Sequence, residues 1–240
     1  MNKVRLWSRR ILLTILFVLT VAWATEEGSQ WLVRWRAHRL LADIHSVNVN
    51  RGNWADAQRF MKKWDSLGEA AASCTPERCN YRVTLVQVLP RPVVGYPDKG
   101  VHNWLPRIAD HLGLRSVAVR AGINVNKGVI TSKWFAEQVS LPVRAWGIPG
   151  GAYVPDLAIS IGEYLRYPDF ATKPSTDPYL RVQDFQGPYG ITVYFMPQED
   201  ASERSALMDF RLSCITRLSP CLSVGDILPE GWKKAQQEGR

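Results

Sequence analysis

Two histidines are the residues of this sequence best placed for acid–base chemistry. His102 and His111 flank a short predicted helix, and Asp98 and Asp110 lie close to them in sequence. A His–Asp pair is the minimum that general acid–base catalysis needs. No motif positions a nucleophile beside such a pair, since the G-x-S-x-G, S-x-x-K and H-E-x-x-H patterns are all missing. A hydrolase that uses His102 or His111 with a nearby Asp therefore stays an alternative function.

Metal and phosphate chemistry find less support. His38 and His45 lie seven residues apart on one predicted helix face, but Asp43 falls off that face and no third ligand completes a site. The glycine-rich stretch 147–151 does not open a helix, so the anion-binding N-terminus of a phosphate cradle is missing. We predict no metal and no cofactor.

Tryptophans are the second group of interest, because the chain has ten of them. Trp134 and Trp146 fall outside the N-terminal segment, and we predict that they form a binding surface on which a sugar or peptide could stack. The alternative is that they are large anchors of the hydrophobic core, which is a common use of this residue.

The four cysteines form two local pairs, Cys74 with Cys79 and Cys214 with Cys221. An even number of closely paired cysteines behind an export segment is typical of disulfides. A zinc site is the alternative, but its pairs are usually separated by two to four residues, and these are separated by four and six. We predict two local disulfide bonds.

An uncharged run, 11–24, follows four basic residues near the N-terminus. Trp7 and Trp23 bracket the run, as expected for residues at the two interfaces of a membrane. These features predict a membrane anchor over 1–30. Ala22-Trp23-Ala24 also fits a signal-peptidase site, which would release a secreted or periplasmic protein.

Trp31 and Trp35 continue the pattern beyond the run, with arginines between them. The apolar spacing predicts a stem helix over 31–47 that leads into a domain over 31–240. Trp31 and Trp35 are predicted to lie at the membrane interface together with Trp7 and Trp23. A basic helix lying on the lipid surface is the alternative interpretation.

The net charge of +8 does not indicate nucleic-acid binding. Residues 1–40 hold seven Lys/Arg against two Glu, whereas residues 41–240 hold 23 against 20 acidic residues. The excess charge therefore flanks the apolar run, where basic residues orient membrane segments. A nucleic-acid site would need a basic stripe on the folded domain.

The remaining pattern predicts an α+β fold, with the N-terminal membrane helix, two amphipathic helices, a mainly antiparallel sheet and a short C-terminal helix. Asn53 and Asp56 form a predicted capping box for a helix whose apolar stripe includes Trp54, Phe60 and Trp64. Alternating residues predict strands, and these are listed as 80–89, a hairpin over 115–139 turning at 126–128, 156–165, 191–196 and 208–214.

Two sequence patterns resemble those of uncharacterised bacterial single-span membrane proteins. The first is the run W-A-D-A-Q at 54–58 followed by C-T-x3-C-x-Y at 74–81. The second is F-R-L-x-C at 210–214 followed by Cys221 and Trp232. The resemblance covers 1–89 and the last thirty residues. It implies a single-span membrane protein of the cell envelope and no known activity.

These observations favour a membrane-tethered envelope protein whose domain lies outside the cytoplasm. Its expected role is non-catalytic binding or assembly, with the membrane as one partner and an envelope protein or polymer as a second. An envelope hydrolase and a purely structural membrane-proximal spacer are the two alternatives.

Overall fold

The computed structural model describes residues 2–70, 74–87, 117–140, 156–166, 177–184, 190–216 and 221–238. The helices are α1 (Asn2–Ser46), α2 (Trp54–Lys63), α3 (Ala201–Leu207), α4 (Val224–Ile227) and α5 (Pro229–Glu238), with 3-10 helices at Asp65–Leu67 and Leu212–Ile215. The strands are β1 (Gly68–Ala70), β2 (Arg78–Gln87), β3 (Val117–Asn126), β4 (Val129–Ser140), β5 (Asp156–Tyr164), β6 (Leu180–Asp184) and β7 (Gly190–Phe195).

One unbroken helix, α1, contains both the apolar run and the predicted stem. Its apolar N-terminal half is exposed, whereas Ala37, Leu40 and Ile44 of its C-terminal half are fully buried against the domain. No proline interrupts the helix between these halves. The sequence-based boundary at residue 30 therefore falls inside a continuous helix.

The second helix, α2, begins at the predicted capping box. The Asn53 side chain accepts hydrogen bonds from the backbone N–H groups of Ala55 and Asp56, and the Asp56 carboxylate accepts one from the Asn53 N–H at 3.0 Å. Phe60 and Trp64 are buried, as the apolar stripe predicts. The Trp64 indole N–H donates to the Asp43 carboxylate at 2.9 Å, which joins α2 to α1.

The described strands form one seven-stranded sheet in the order β1-β2-β3-β4-β5-β7-β6. Every neighbouring pair is antiparallel except β5 and β7, which are parallel. The predicted hairpin is present as β3 and β4. Both of its turn residues, Lys127 and Gly128, have positive φ, as a two-residue type I′ turn requires. The α+β class and the mainly antiparallel sheet are confirmed.

Two segments differ from the sequence-based prediction. The predicted strand over 208–214 is instead a turn after α3 followed by a 3-10 helix. Its alternating apolar residues, Met208, Phe210 and Leu212, are all buried, because this irregular segment packs against α1 and the Phe210 ring contacts Phe135 of β4. Strand β6 was not predicted, since it is only five residues long and pairs with β7, which follows it across a connection.

The two faces of the sheet have different environments. The inner face packs against α1 and the short helices, and it carries the largest buried side chains, such as Phe135, Ile161 and Phe195. The outer face of β2 and β3 carries exposed polar residues, including Asn80, Arg82 and Arg120. This alternation follows from the two-residue period of a strand.

Candidate functional site

Trp134 occupies the centre of the outer face, because β4 is the middle strand of the sheet. In the cross-strand register it lies between Gly122 on β3 and Gly162 on β5. A Cβ atom added to Gly122 would lie 2.8 Å from two carbons of the Trp134 ring. The indole ring therefore lies over Gly122. A side chain at position 122 would clash with the ring, so only glycine fits there.

Two arginines flank this ring. The Arg82 guanidinium carbon lies 5.9 Å from the Trp134 ring centroid, within cation–π range. Arg120 precedes Gly122 by two residues on the same strand face, and one of its N–H groups donates to the Gln138 side-chain oxygen at 3.5 Å. Within the described residues neither arginine forms an ion pair. We call Trp134, Gly122, Gly162, Arg82 and Arg120 the Trp134 platform.

A buried charge cluster lies on the opposite face of the sheet. Lys133 and Glu163 form an ion pair at 3.2 Å, and Arg204 approaches the same carboxylate at 3.3 Å. Lys133 also donates to the Val47 carbonyl at 2.6 Å, just beyond the end of α1. A cation at this position satisfies carbonyl groups that a helix terminus leaves free. Burial lowers the pKa of Lys133, although the neighbouring Glu163 opposes that shift.

Glu137 is a second ionisable residue on the inner face of β4. Its side chain is buried, and neither carboxylate oxygen has a hydrogen-bond partner among the described residues. Burial raises the pKa of Glu137 to about 8. Its carboxyl group is therefore mainly protonated at neutral pH, because a charge in an apolar environment is costly.

No family model matches this chain, and no curated protein and no solved structure is significantly similar to it.

The predicted interface tryptophans all lie exposed along α1. Trp7, Trp23, Trp31 and Trp35 have exposed fractions between 40 and 69%. The Arg34 guanidinium stacks over Trp31 at 5.2 Å, and that of Arg39 stacks over Trp35 at 4.7 Å. The apolar part of α1 is long and apolar enough to cross a membrane, and none of it is buried against the domain. A membrane span and a signal sequence both have this property.

Both disulfide bonds join the predicted local pairs. Cys74 and Cys79 have Cα atoms 4.3 Å apart, and Cys214 and Cys221 have Cα atoms 5.8 Å apart. Cys214 and Cys221 are buried, whereas Cys74 is partly exposed. Such bonds persist in oxidising compartments outside the cytoplasm.

A cleft of about 450 Å³ opens between the end of α1 and α2. Its charged groups already pair within the protein. Lys63 donates to Asp43 at 2.7 Å, and Arg59 pairs with Asp56. Because these charges already neutralise one another, the cleft is a weaker candidate than the Trp134 platform.

Three residues predicted to form sites, His102, His111 and Trp146, lie outside the described residues. The acid–base pair therefore remains a prediction, and only Trp134 of the predicted binding surface has a described position. His38 and His45 are present on α1, and no group of three metal-binding side chains occurs in the described part of the chain.

Lys133, Glu137 and Glu163 were not predicted from the sequence to be buried ionisable residues, although a signal was present. All three occupy inward positions of alternating strands, in line with Phe135 on β4 and Ile161 on β5. A charged residue at a position where the pattern requires an apolar one indicates a buried ionisable group. Arg82 and Arg120 gave no such signal, because their proximity to Trp134 depends on the strand register.

Proposed function

We propose that this protein is a single-span membrane protein of the bacterial envelope, with a domain outside the cytoplasm that binds a partner without catalysis. The observation that carries the proposal is the division of α1. One half of this helix is apolar and exposed, and the other half is part of the domain core. A domain built on its own membrane helix stays at the bilayer surface.

Contacts near the membrane end of the domain support a close attachment. The Gln87 side chain at the end of β2 donates to Ser29 at 2.5 Å and to the Glu26 carboxylate at 3.2 Å. Glu26 follows Trp23 by three residues, a rise of about 4.5 Å along a helix. This end of β2 therefore lies next to the proposed membrane interface, which argues against a long spacer between the membrane and the domain.

The two disulfide bonds support the extracytoplasmic side, because a reducing cytoplasm would keep these thiols free. The Trp134 platform supports a binding role. It presents an aromatic ring and two arginines without ion-pair partners in the described part of the chain.

Fractionation of bacteria that express the full chain tests the tether. The protein should stay in carbonate-washed membranes at full length, and protease added outside spheroplasts should digest its domain. Leu16→Arg places a charge in the middle of the apolar run, which costs roughly 2.5–3.5 kcal/mol on insertion scales, and should release the protein or prevent its insertion.

Leu32→Arg is the matched control, since Leu32 is also an exposed leucine of α1 but lies beyond the apolar run. This variant should stay in the membrane. A soluble product that begins at Thr25 would show cleavage after Ala24 and refute the anchor. A domain that resists external protease in intact spheroplasts, but not after lysis, would place it in the cytoplasm.

A further inference from the structure

The Trp134 platform has the features of a glycan-binding surface. Two carbons of the indole ring lie over Gly122, so the ring covers the sheet at this position. Trp134 is partly exposed. A flat apolar plate with hydrogen-bonding groups at its rim complements a sugar ring, which has an apolar C–H face and polar edges.

The positive charge of the Trp134 platform favours one class of glycan. Arg82 and Arg120 are exposed and lie on adjacent strands, two residues apart in the register, so their guanidinium groups face the same side. Glu69 on β1, opposite Arg82, is the only acidic residue paired across the strands with either arginine in the described sheet. Guanidinium groups bind carboxylates through paired hydrogen bonds, so the platform favours an anionic ligand.

The position of the platform argues against an extended peptide. Peptides that bind to sheets add to an open edge strand, where backbone groups are free. Trp134 lies on β4, the fourth of seven strands, whose backbone groups are paired with β3 and β5. A ligand at this place therefore contacts side chains and cannot bind by strand addition.

We propose that a carboxylate-bearing glycan binds to the Trp134 platform, with a sugar ring stacked on Trp134 and carboxylates held by Arg82 and Arg120. This inference rests on the proposed function, because it assigns a ligand class to the same binding surface. A polymer of this chemistry would connect the membrane-tethered domain to the material of the envelope.

Calorimetric titration of the full-length protein in detergent micelles tests the proposal with three probes. The first is an oligomer of galacturonic acid, the second is its methyl ester, which has the same sugar without the charge, and the third is polyglutamate, which has carboxylates without sugar. The free oligouronate should bind most tightly, and added salt should weaken it, since salt screens the arginines.

Substitutions then locate the site. Trp134→Ala should lower the affinity for oligouronate by about tenfold or more, as loss of an aromatic anchor does. Arg82→Gln and Arg120→Gln should each lower it about threefold and reduce the dependence on salt. Arg51→Gln is the matched control, because Arg51 is exposed but lies in the turn before α2, and it should bind like the unmodified protein.

Each contrary outcome overturns the proposal. Saturable binding should be visible at millimolar oligouronate, and its absence in folded protein would exclude the site. Equal binding of polyglutamate would indicate a general anion surface, and an equal loss in Arg51→Gln would indicate diffuse charge. If Trp134→Ala lowers the melting temperature, the affinities of Trp134→Phe and of the two arginine variants for oligouronate test the site instead. Failure of the membrane fractionation would refute the tether alone, because this titration does not depend on it.

Discussion

Glu137 gives the clearest prediction at the level of a single residue. Its pKa is about 8 in the folded protein, against 4.5 for a free side chain. The folded state therefore holds a proton that the unfolded state releases, and stability must fall as the pH rises from 4.5 to about 8. Glu137→Gln removes this dependence. At pH 8 the variant should be more stable than the unmodified protein by roughly 3–5 kcal/mol.

Denaturant unfolding at pH 5 and pH 8 measures this effect. Glu69→Gln is the control, because it makes the same substitution at a glutamate that is exposed on β1. Parallel profiles for Glu137→Gln and the unmodified protein would mean that Glu137 is ionised or solvated in the folded state.

The ion pair of Lys133 with Glu163 gives a second prediction at this level. Lys133→Met should destabilise the protein by about 3–5 kcal/mol, because it leaves a buried carboxylate with only Arg204 and removes the donor to the Val47 carbonyl. Adding Glu163→Gln to this variant should recover part of the loss. A double-mutant cycle from denaturant unfolding measures the coupling, and strictly additive effects would show that the two charges act independently.

At the level of elements, α2 depends on its docking to α1. Trp64 is buried and its indole donates to Asp43 at 2.9 Å. Trp64→Ala should cost about 3–5 kcal/mol through lost transfer energy and a cavity. Trp64→Phe keeps most of the apolar surface and loses the hydrogen bond, so it should cost only about 1–2 kcal/mol beyond repacking. Thermal unfolding compares them, and equal losses would mean that the hydrogen bond, and not burial, holds α2.

Elements with local signals were predictable from the sequence. The β3–β4 hairpin has strict alternation and a glycine turn, and α2 has a capping box and an apolar stripe, so both follow from neighbouring residues. The parallel pairing of β5 with β7 was not predictable, because it joins strands that are distant in sequence. The continuity of α1 was not predictable either, since an apolar run next to a polar segment does not by itself show whether the helix ends between them.

The same distinction applies to the candidate site. Trp134 was identified by its residue type, as a large aromatic residue outside the N-terminal apolar segment. Its partners Arg82 and Gly122 lie on other strands, and only the register of β2, β3 and β4 brings them together. The central residue of the site was therefore predictable from the sequence, whereas the charges that suggest its ligand were not.

At the level of the whole molecule, the two disulfide bonds protect different parts of the fold. Cys214 and Cys221 are both buried, close to the segment where Thr216 accepts a hydrogen bond from Arg34 of α1. The second bridge therefore supports the packing of the C-terminal region against α1. The first bridge joins Cys74 to Cys79 and closes a surface turn at the start of β2. Its Cys74 is partly exposed.

This difference predicts the order in which the bonds are reduced. A reductant must reach a sulfur atom, so mild phosphine treatment of native protein should open Cys74–Cys79 first, because Cys74 is partly exposed. Cys214–Cys221 should open only in denaturant. Each bridge closes a short loop and should contribute roughly 2–2.5 kcal/mol in the chain-entropy model.

Alkylation followed by peptide mapping checks both the pairing and the order. Untreated protein should yield no alkylated cysteine, and its non-reduced peptides should join Cys74 to Cys79 and Cys214 to Cys221.

The variant with Cys214 and Cys221 both replaced by serine should lose more stability than the bridge entropy alone, because two buried polar groups replace a packed bond. Four reactive thiols in freshly isolated native protein would contradict the bridges, and with them the argument that the domain lies outside the cytoplasm.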